Sequence, residues 1–289
     1  MIVVLGDIAV DIISRLRAPL VIGSDAAAEI QLMPGGSGAN VAVWMARLGK
    51  PVAFVGRVGD DRFGRWLAAD LRAEGVSPAL YLDARRRTTV IQVLVEPSGE
   101  RTMVPDRGAN AWWPPDDVPE ELIAGADLLH VVGYVLLDAD SRGGAMRAMQ
   151  VARSHRVPIS LDPSSHAPLR AMGIDLFWEL VGRLDVLLPN RVEALTMTGA
   201  PDVEAAAGAL LAHAGVVAIK LDKDGCMART GRARWRVPAV ATEVVNATGA
   251  GDAFDAAFLA RWLTDGDTEA ACREGVRLGA WAAGLASTR

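Results

Sequence analysis

Six short apolar runs, "IVVLGDI", "PVAFVGRV", "ADLLHVVG", "VPISLDP", "LDVLLPN" and "VVAIKL", alternate with segments of helical patterning and set the fold class. Helices covering both sides of a parallel sheet leave its strands no polar face, so they read as continuous apolar runs. The patterning predicts helices over 41–48, 63–74, 141–155, 202–214 and 253–263. The expectation is an α/β domain with a mainly parallel sheet flanked by helices. Two regions break the alternation. Residues 15–33 lack helical periodicity, and "TTVIQVLVEPSGERTMV" at 88–104 reads as a hairpin turning at Pro97-Ser98-Gly99. Together they predict a small β sheet projecting from the body, with bounds of about 12–34 and 86–107. No repeat or low-complexity linker divides the chain, so 1–289 is expected to be one domain.

With 289 residues, 51% of them hydrophobic, the chain can bury a large core. A net charge of -5 lacks the basic face of a nucleic-acid binder, and Arg85-Arg86-Arg87 reads as a solvated turn. Two cysteines, Cys226 and Cys272, give neither a disulfide framework nor zinc spacing. The opening "MIVVLGDIAVDII" carries acids where a secretion leader needs basic residues, and no apolar run reaches membrane-spanning length. These features predict a cytoplasmic protein with neither nucleic acid nor membrane as partner.

Ligands of open α/β sheets gather at the carboxyl ends of the strands. One stretch there is "NATGAGDAFDAAF", residues 246–258, where the small residues Thr248–Gly251 and the acid Asp252 precede an apolar helix. Unobstructed N–H groups at a helix N-terminus form an anion-binding nest, and the helix dipole reinforces it. A carboxylate beside such a nest suits proton removal from an attacking hydroxyl. The alternative is a tight turn with Asp252 as a first-turn acid. Other strand ends carry Asp7 and Asp11, Asn190 with Glu193, and "DKDG". Asn190 and Glu193 also suit a helix start, as cap and first-turn acid. The loop Gly35-Gly36-Ser37-Gly38 is no dinucleotide fingerprint, since Val41 stands where the last glycine belongs, and Ala39 rules out a nucleophile elbow. Gly49-Lys50 is followed by Pro51, so no Walker A loop exists, and the four histidines lack metal-ligand spacing.

In combination these stretches resemble the ribokinase (PfkB-type) family of sugar and nucleoside kinases. "NATGAGDAF" is similar to its C-terminal signature D-T-x-G-A-G-D. "PGGSGANVAVWMARLG" at 34–49, followed by "GRVGDDRFG" at 56–64, resembles its N-terminal signature. "PNRVEA" resembles its N-x-x-E motif, and "GDIAVD" its opening substrate-binding strand. The four matches run in the family's order across nearly the whole chain.

The resemblance implies a ribokinase-like, Rossmann-like fold with a β lid, and ATP-dependent phosphorylation of a primary hydroxyl on a sugar or nucleoside. It implies that Asp252 is the general base and that Gly249, Ala250 and Gly251 hold charge on the transferred phosphoryl group. Asp7, Asp11, Gly35, Gly36 and Asn40 would hold the acceptor, with Arg107 either meeting it or pairing with an acid. Asn190, Lys220, Asp222, Gly225 and Thr248 would line the nucleotide, while Asn190 and Glu193 organise Mg²⁺ largely through water. The family's lids pair edge to edge, which implies a homodimer.

Four departures stand out. Asn246 replaces the acid linked in the family to a monovalent cation, so an uncharged amide stands where K⁺ would bind. Asp222 stands where a glycine often borders the phosphates, and Ser164 and His166 stand where many relatives carry Asn and Arg. The sequence stops at "LASTR", short of the family's tail. The alternative they leave is a weakly catalytic relative that binds a sugar or nucleoside and regulates something else.

Overall fold

The computed structural model describes residues 1–21 and 23–285; Ile22, within the range expected for the lid, and the end of "LASTR" lie outside the described residues. The strands are β1 Ile2–Leu5, β2 Ala9–Leu16, β3 Ala28–Gly35, β4 Val52–Gly59, β5 Ser77–Asp83, β6 Val90–Val95 and β7 Arg101–Asp106. They continue with β8 Leu128–Val132, β9 Ile159–Asp162, β10 Leu184–Leu187, β11 Ala214–Lys220, β12 Cys226–Thr230 and β13 Arg234–Val237. The main sheet runs β13-β12-β11-β10-β9-β8-β1-β4-β5, parallel from β11 to β5, with β12 and β13 antiparallel at one edge.

Alternation along β1 shows why its strand reads as wholly apolar. Ile2 and Val4 enter one core layer with Val41, Trp44, Phe254 and Phe258 of the helices Ser37–Arg47 and Ala250–Asp265. Val3 and Leu5 enter the opposite layer with Ala145, Met149 and Ala152 of the helix Ala139–Ser154. Both faces of a central strand are thus buried, each residue contributing about 1.5–3 kcal/mol on transfer from water.

The lid is a separate sheet of order β3-β2-β6-β7. Its β6–β7 hairpin turns at residues 97–99, as expected, and β2 pairs with β6 in parallel. The predicted run "IVVLGDI" ends at Leu5, and Asp11 therefore belongs to lid strand β2. The helix expected over 202–214 stops at Leu210: the Ala-rich segment has helical propensity throughout, but Ala214 is claimed by β11, where it pairs with Leu184. The helix expected from 41 starts at Ser37, directly after Gly36. Gly36 has φ 93°, and a Cβ there would lie 2.7 Å from the Asp7 carbonyl oxygen. This close approach seats the helix N-terminus on the end of β1.

Candidate active site

Two helix N-termini meet at the site. Gly249, with φ 81°, is the left-handed residue that opens Ala250–Asp265, and Asp252 lies in that helix's first turn. Its Oδ1 accepts a hydrogen bond from Ser37 Oγ at 2.6 Å, and its Oδ2 accepts one from Asn40 Nδ2 at 2.8 Å. Both donors belong to Ser37–Arg47, so one carboxylate ties the two helices together. Burial pushes Asp252 up to about 7, against the opposing effect of those two hydrogen bonds. A carboxyl group held near neutrality is matched to general-base work.

Asp7 accepts from the backbone N–H groups of Gly38 at 3.1 Å and Ser37 at 3.3 Å, capping the same helix. Burial raises its pKa, while these bonds and Arg107 oppose the shift. Asn40 keeps its buried Oδ1 without a hydrogen-bond partner among the described residues. Asp11 is buried, its carboxylate packed over Gly35 so closely that a Cβ there would lie 2.3 Å from Oδ2. Arg107 takes the internal alternative. Its Nε and Nη2 lie 2.9 Å from Asp138 Oδ2, and Nη2 also donates to the Tyr134 carbonyl at 2.8 Å.

At the other end, Asn190 and Glu193 form a capping box. Asn190 Oδ1 accepts from Glu193 N at 2.9 Å, while the Glu193 carboxylate accepts from Asn190 N at 2.8 Å and Nδ2 at 2.7 Å. Glu193 is also pushed up to about 7, by burial first and then by Asp162. Lys220 Nζ donates to Asp162 at 2.6 Å and to the two Asp255 oxygens at 2.9 and 3.0 Å. Burial alone would lower its pKa, but Asp162 and Asp255 outweigh that and raise it. Asp222 lies exposed in a left-handed conformation with φ 53°. Thr248 N donates to Asn246 Oδ1 at 2.9 Å, and Arg101 of β7 donates to Thr248 Oγ1, linking lid to loop.

A cavity of about 1380 Å³ joins these parts. Every expected site residue lines it except Gly35, which backs Asp11, and Asn246, which turns the loop. The lid closes over it with Ile91, Val93, Met103 and Pro105. Among the described residues no group of three or more His, Cys, Asp or Glu could cage a metal. The buried Glu193 carboxylate, beside Asn190 on the cavity wall, has the oxygen chemistry of an ion that keeps most of its water and leans on substrate phosphates, as Mg²⁺ does.

A sequence model of the "pfkB family carbohydrate kinase" matches residues 1–289. The chain belongs to the pfkB carbohydrate kinase family. An uncharacterized sugar kinase of Archaeoglobus fulgidus is 32% identical over 233 residues, covering 80% of this chain and 90% of that one. Probable fructokinase-4 of Arabidopsis thaliana is 31% identical over 256 residues, 85% of this chain and 78% of that one. Among solved structures, adenosine kinase from Sinorhizobium meliloti superposes with TM-score 0.89 at 26% identity, covering 100% of this chain and 95% of that one. A putative ribokinase II from E. coli, in complex with ATP and Mg²⁺, shares the fold with TM-score 0.88 at 22% identity, over 99% and 94% of the two chains.

In this pfkB kinase the structure brings to the site several residues that the motifs do not single out. Ser37 lies inside the quoted glycine loop, but its bond to Asp252 spans 215 positions. Asp162 ends β9, where the strand-end rule points. Asp255 stands one turn beyond Asp252, a spacing that puts both on one helix face. Of the four histidines, His155 and His166 are exposed. His130 is buried against Ser160 Oγ at 2.9 Å, with burial pulling it down to about 4, and His213 stacks on Trp178 at 3.8 Å.

Proposed function

We propose that this kinase transfers the γ-phosphoryl group of ATP, with Mg²⁺, to a primary hydroxyl of a sugar or nucleoside. The observation that carries this reading is Asp252, near-neutral in its proton affinity and beside the N–H nest of Gly249–Gly251. In the reaction, Asp252 accepts the hydroxyl proton as the oxygen attacks the γ-phosphorus, and ADP leaves. The nest N–H groups hold charge developing on the transferred group. Bound Mg²⁺ would neutralise phosphate charge, with Asn190 and Glu193 ordering its water shell. Asp7, Asp11 and Asn40 accept hydrogen bonds from the acceptor's hydroxyls, fixing which one faces Asp252. The apolar lid residues exclude water, which would otherwise take the phosphoryl group. Relatives named fructokinase and adenosine kinase, and the E. coli structure holding ATP and Mg²⁺, support the assignment. The test is ADP release from ATP and Mg²⁺ across sugars and nucleosides. Release that no acceptor stimulates would overturn the reading.

Glu193→Gln is expected to raise the Mg²⁺ concentration for half-maximal rate by about tenfold or more. Glutamine still serves a capping box, so the fold should survive. Unchanged Mg²⁺ dependence in a titration would reduce the pair to a helix start.

The lid edges support a homodimer. β3 and β7 are its outer strands, and Ile30, Leu32, Met103 and Val104 are exposed on them. Light scattering is expected to show twice the 30.5 kDa chain mass, and a monomer at micromolar concentration would count against pairing. Cys226 and Cys272, free and buried, support a reducing, cytoplasmic setting. No helix of the described residues is long and apolar enough to cross a membrane.

A further inference from the structure

The acceptor end of the cavity has two walls of different chemistry. One carries the hydrogen-bond acceptors Asp7, Asp11 and Asn40, the last with its buried, unpartnered Oδ1. The other carries Tyr134 and Leu137, just after β8, with Pro168 and Met172 of the helix His166–Met172. Because β1 and β8 pair in parallel, Asp7 and Tyr134 leave neighbouring strand ends, and Tyr134 lies within the field of Asp7, Asp162, Asp252 and Glu193. The aromatic wall therefore adjoins the hydroxyl-binding wall.

The cations of this end are engaged inside the protein. Arg107 is held by Asp138 and the Tyr134 carbonyl, and Arg142 donates to the carbonyls of Leu136 at 2.8 Å and Leu137 at 3.0 Å. A phosphate or carboxylate on the acceptor would find carboxylates facing it and, among the described residues lining the cavity, no arginine without a partner. A free sugar presents hydroxyls on all sides, and those turned to Leu137, Pro168, Met172 and the lid's Ile91 and Val93 would go unpaired. A planar heteroaromatic ring has apolar faces that suit this wall and stack on a tyrosine. Its polar edge can meet Ser164 and Ser165, which line the same cavity.

We propose that the acceptor is an uncharged nucleoside, its sugar hydroxyls held by Asp7, Asp11 and Asn40 and its base stacked on Tyr134. The proposal rests on the kinase reading above and narrows its acceptor.

Matched acceptors test it. The full chain, with ATP and Mg²⁺, is assayed for ADP release on adenosine, inosine, cytidine and uridine beside free ribose, fructose and fructose 6-phosphate. At least one nucleoside is expected to exceed ribose and fructose in kcat/KM by about tenfold, the scale of one base–aromatic stack. Fructose 6-phosphate is expected to fall below fructose. Turnover of free sugars at or above every nucleoside, or preference for the sugar phosphate, overturns the proposal and leaves the kinase reading standing. No stimulated release with any acceptor overturns both. In Tyr134→Leu the nucleoside-to-ribose ratio of kcat/KM is expected to fall about tenfold, and Tyr134→Phe, which keeps the ring, is expected to restore it. A ratio unchanged in Tyr134→Leu overturns the stacking role.

Discussion

Asp252→Asn is expected to lower kcat by about 10²- to 10⁴-fold, the contribution of a positioned base. The amide keeps the shape of the carboxylate, and its contacts can survive: Asn40 Nδ2 still has an oxygen to meet, and the Ser37 hydroxyl can accept where it now donates. Nucleotide affinity should change little, because the Gly249–Gly251 donors are backbone. The parent's rate should rise with pH as Asp252 ionises near 7, and that limb should vanish from the variant. Stability provides an independent sign. Burial raises the proton affinity of Asp252 in the folded chain, so ionising it costs native stability as pH climbs from the ordinary 3.8 through about 7. The amide carries no such cost, and the difference in stability should move in the variant's favour across that window. Steady-state kinetics and urea unfolding at several pH values check both. A variant within a few-fold of parental turnover would remove Asp252 from the chemistry.

Lys220→Met is expected to cost about 3–5 kcal/mol of folding stability. The ammonium is the shared partner of Asp162 and Asp255, both buried, and methionine would leave two carboxyl groups facing an apolar chain. Lys220 holds Asp162 low despite its burial, while burial raises Asp255. Introducing Asp255→Leu into the same variant should recover much of the loss, since well-packed apolar side chains replace buried ion pairs at little cost. Equilibrium urea unfolding reads both effects. A loss under about 1 kcal/mol in the single variant would show the cluster to be more hydrated than its burial implies.

The sheet's centre was legible because β1, β4 and β8–β11 are buried on both faces and cannot hide their composition. β5, "SPALYLD", was not: it is an edge strand, mostly part-exposed, with Pro78 and polar ends that read as loop. β12 and β13 are short and flanked by turns, and their mixed residues satisfy an antiparallel edge that needs no continuous apolar run. Asp252 and its nest stood out because the chemistry is local, written in consecutive residues. Asp162 and Ser37 did not, because their partners are tens to hundreds of positions away and only the fold brings them together. Asp255 sat in plain view within the same helix, but nothing nearby shows that an acid there would meet a buried lysine.

The β2–β3 hairpin occupies the chain between Asp7 and Gly36, with Asp11 on its first strand. Its roots carry residues proposed to hold the acceptor, whereas the proposed base Asp252 lies more than two hundred positions downstream. Drift within the lid, at Asp11 or at Ile91, Val93, Met103 and Pro105 of β6 and β7, can therefore remodel the pocket without touching the residues proposed to move the proton or steady the phosphoryl group. A lineage descending from such a chain could retune its acceptor through changes in the lid. Its reactive apparatus would be inherited unchanged.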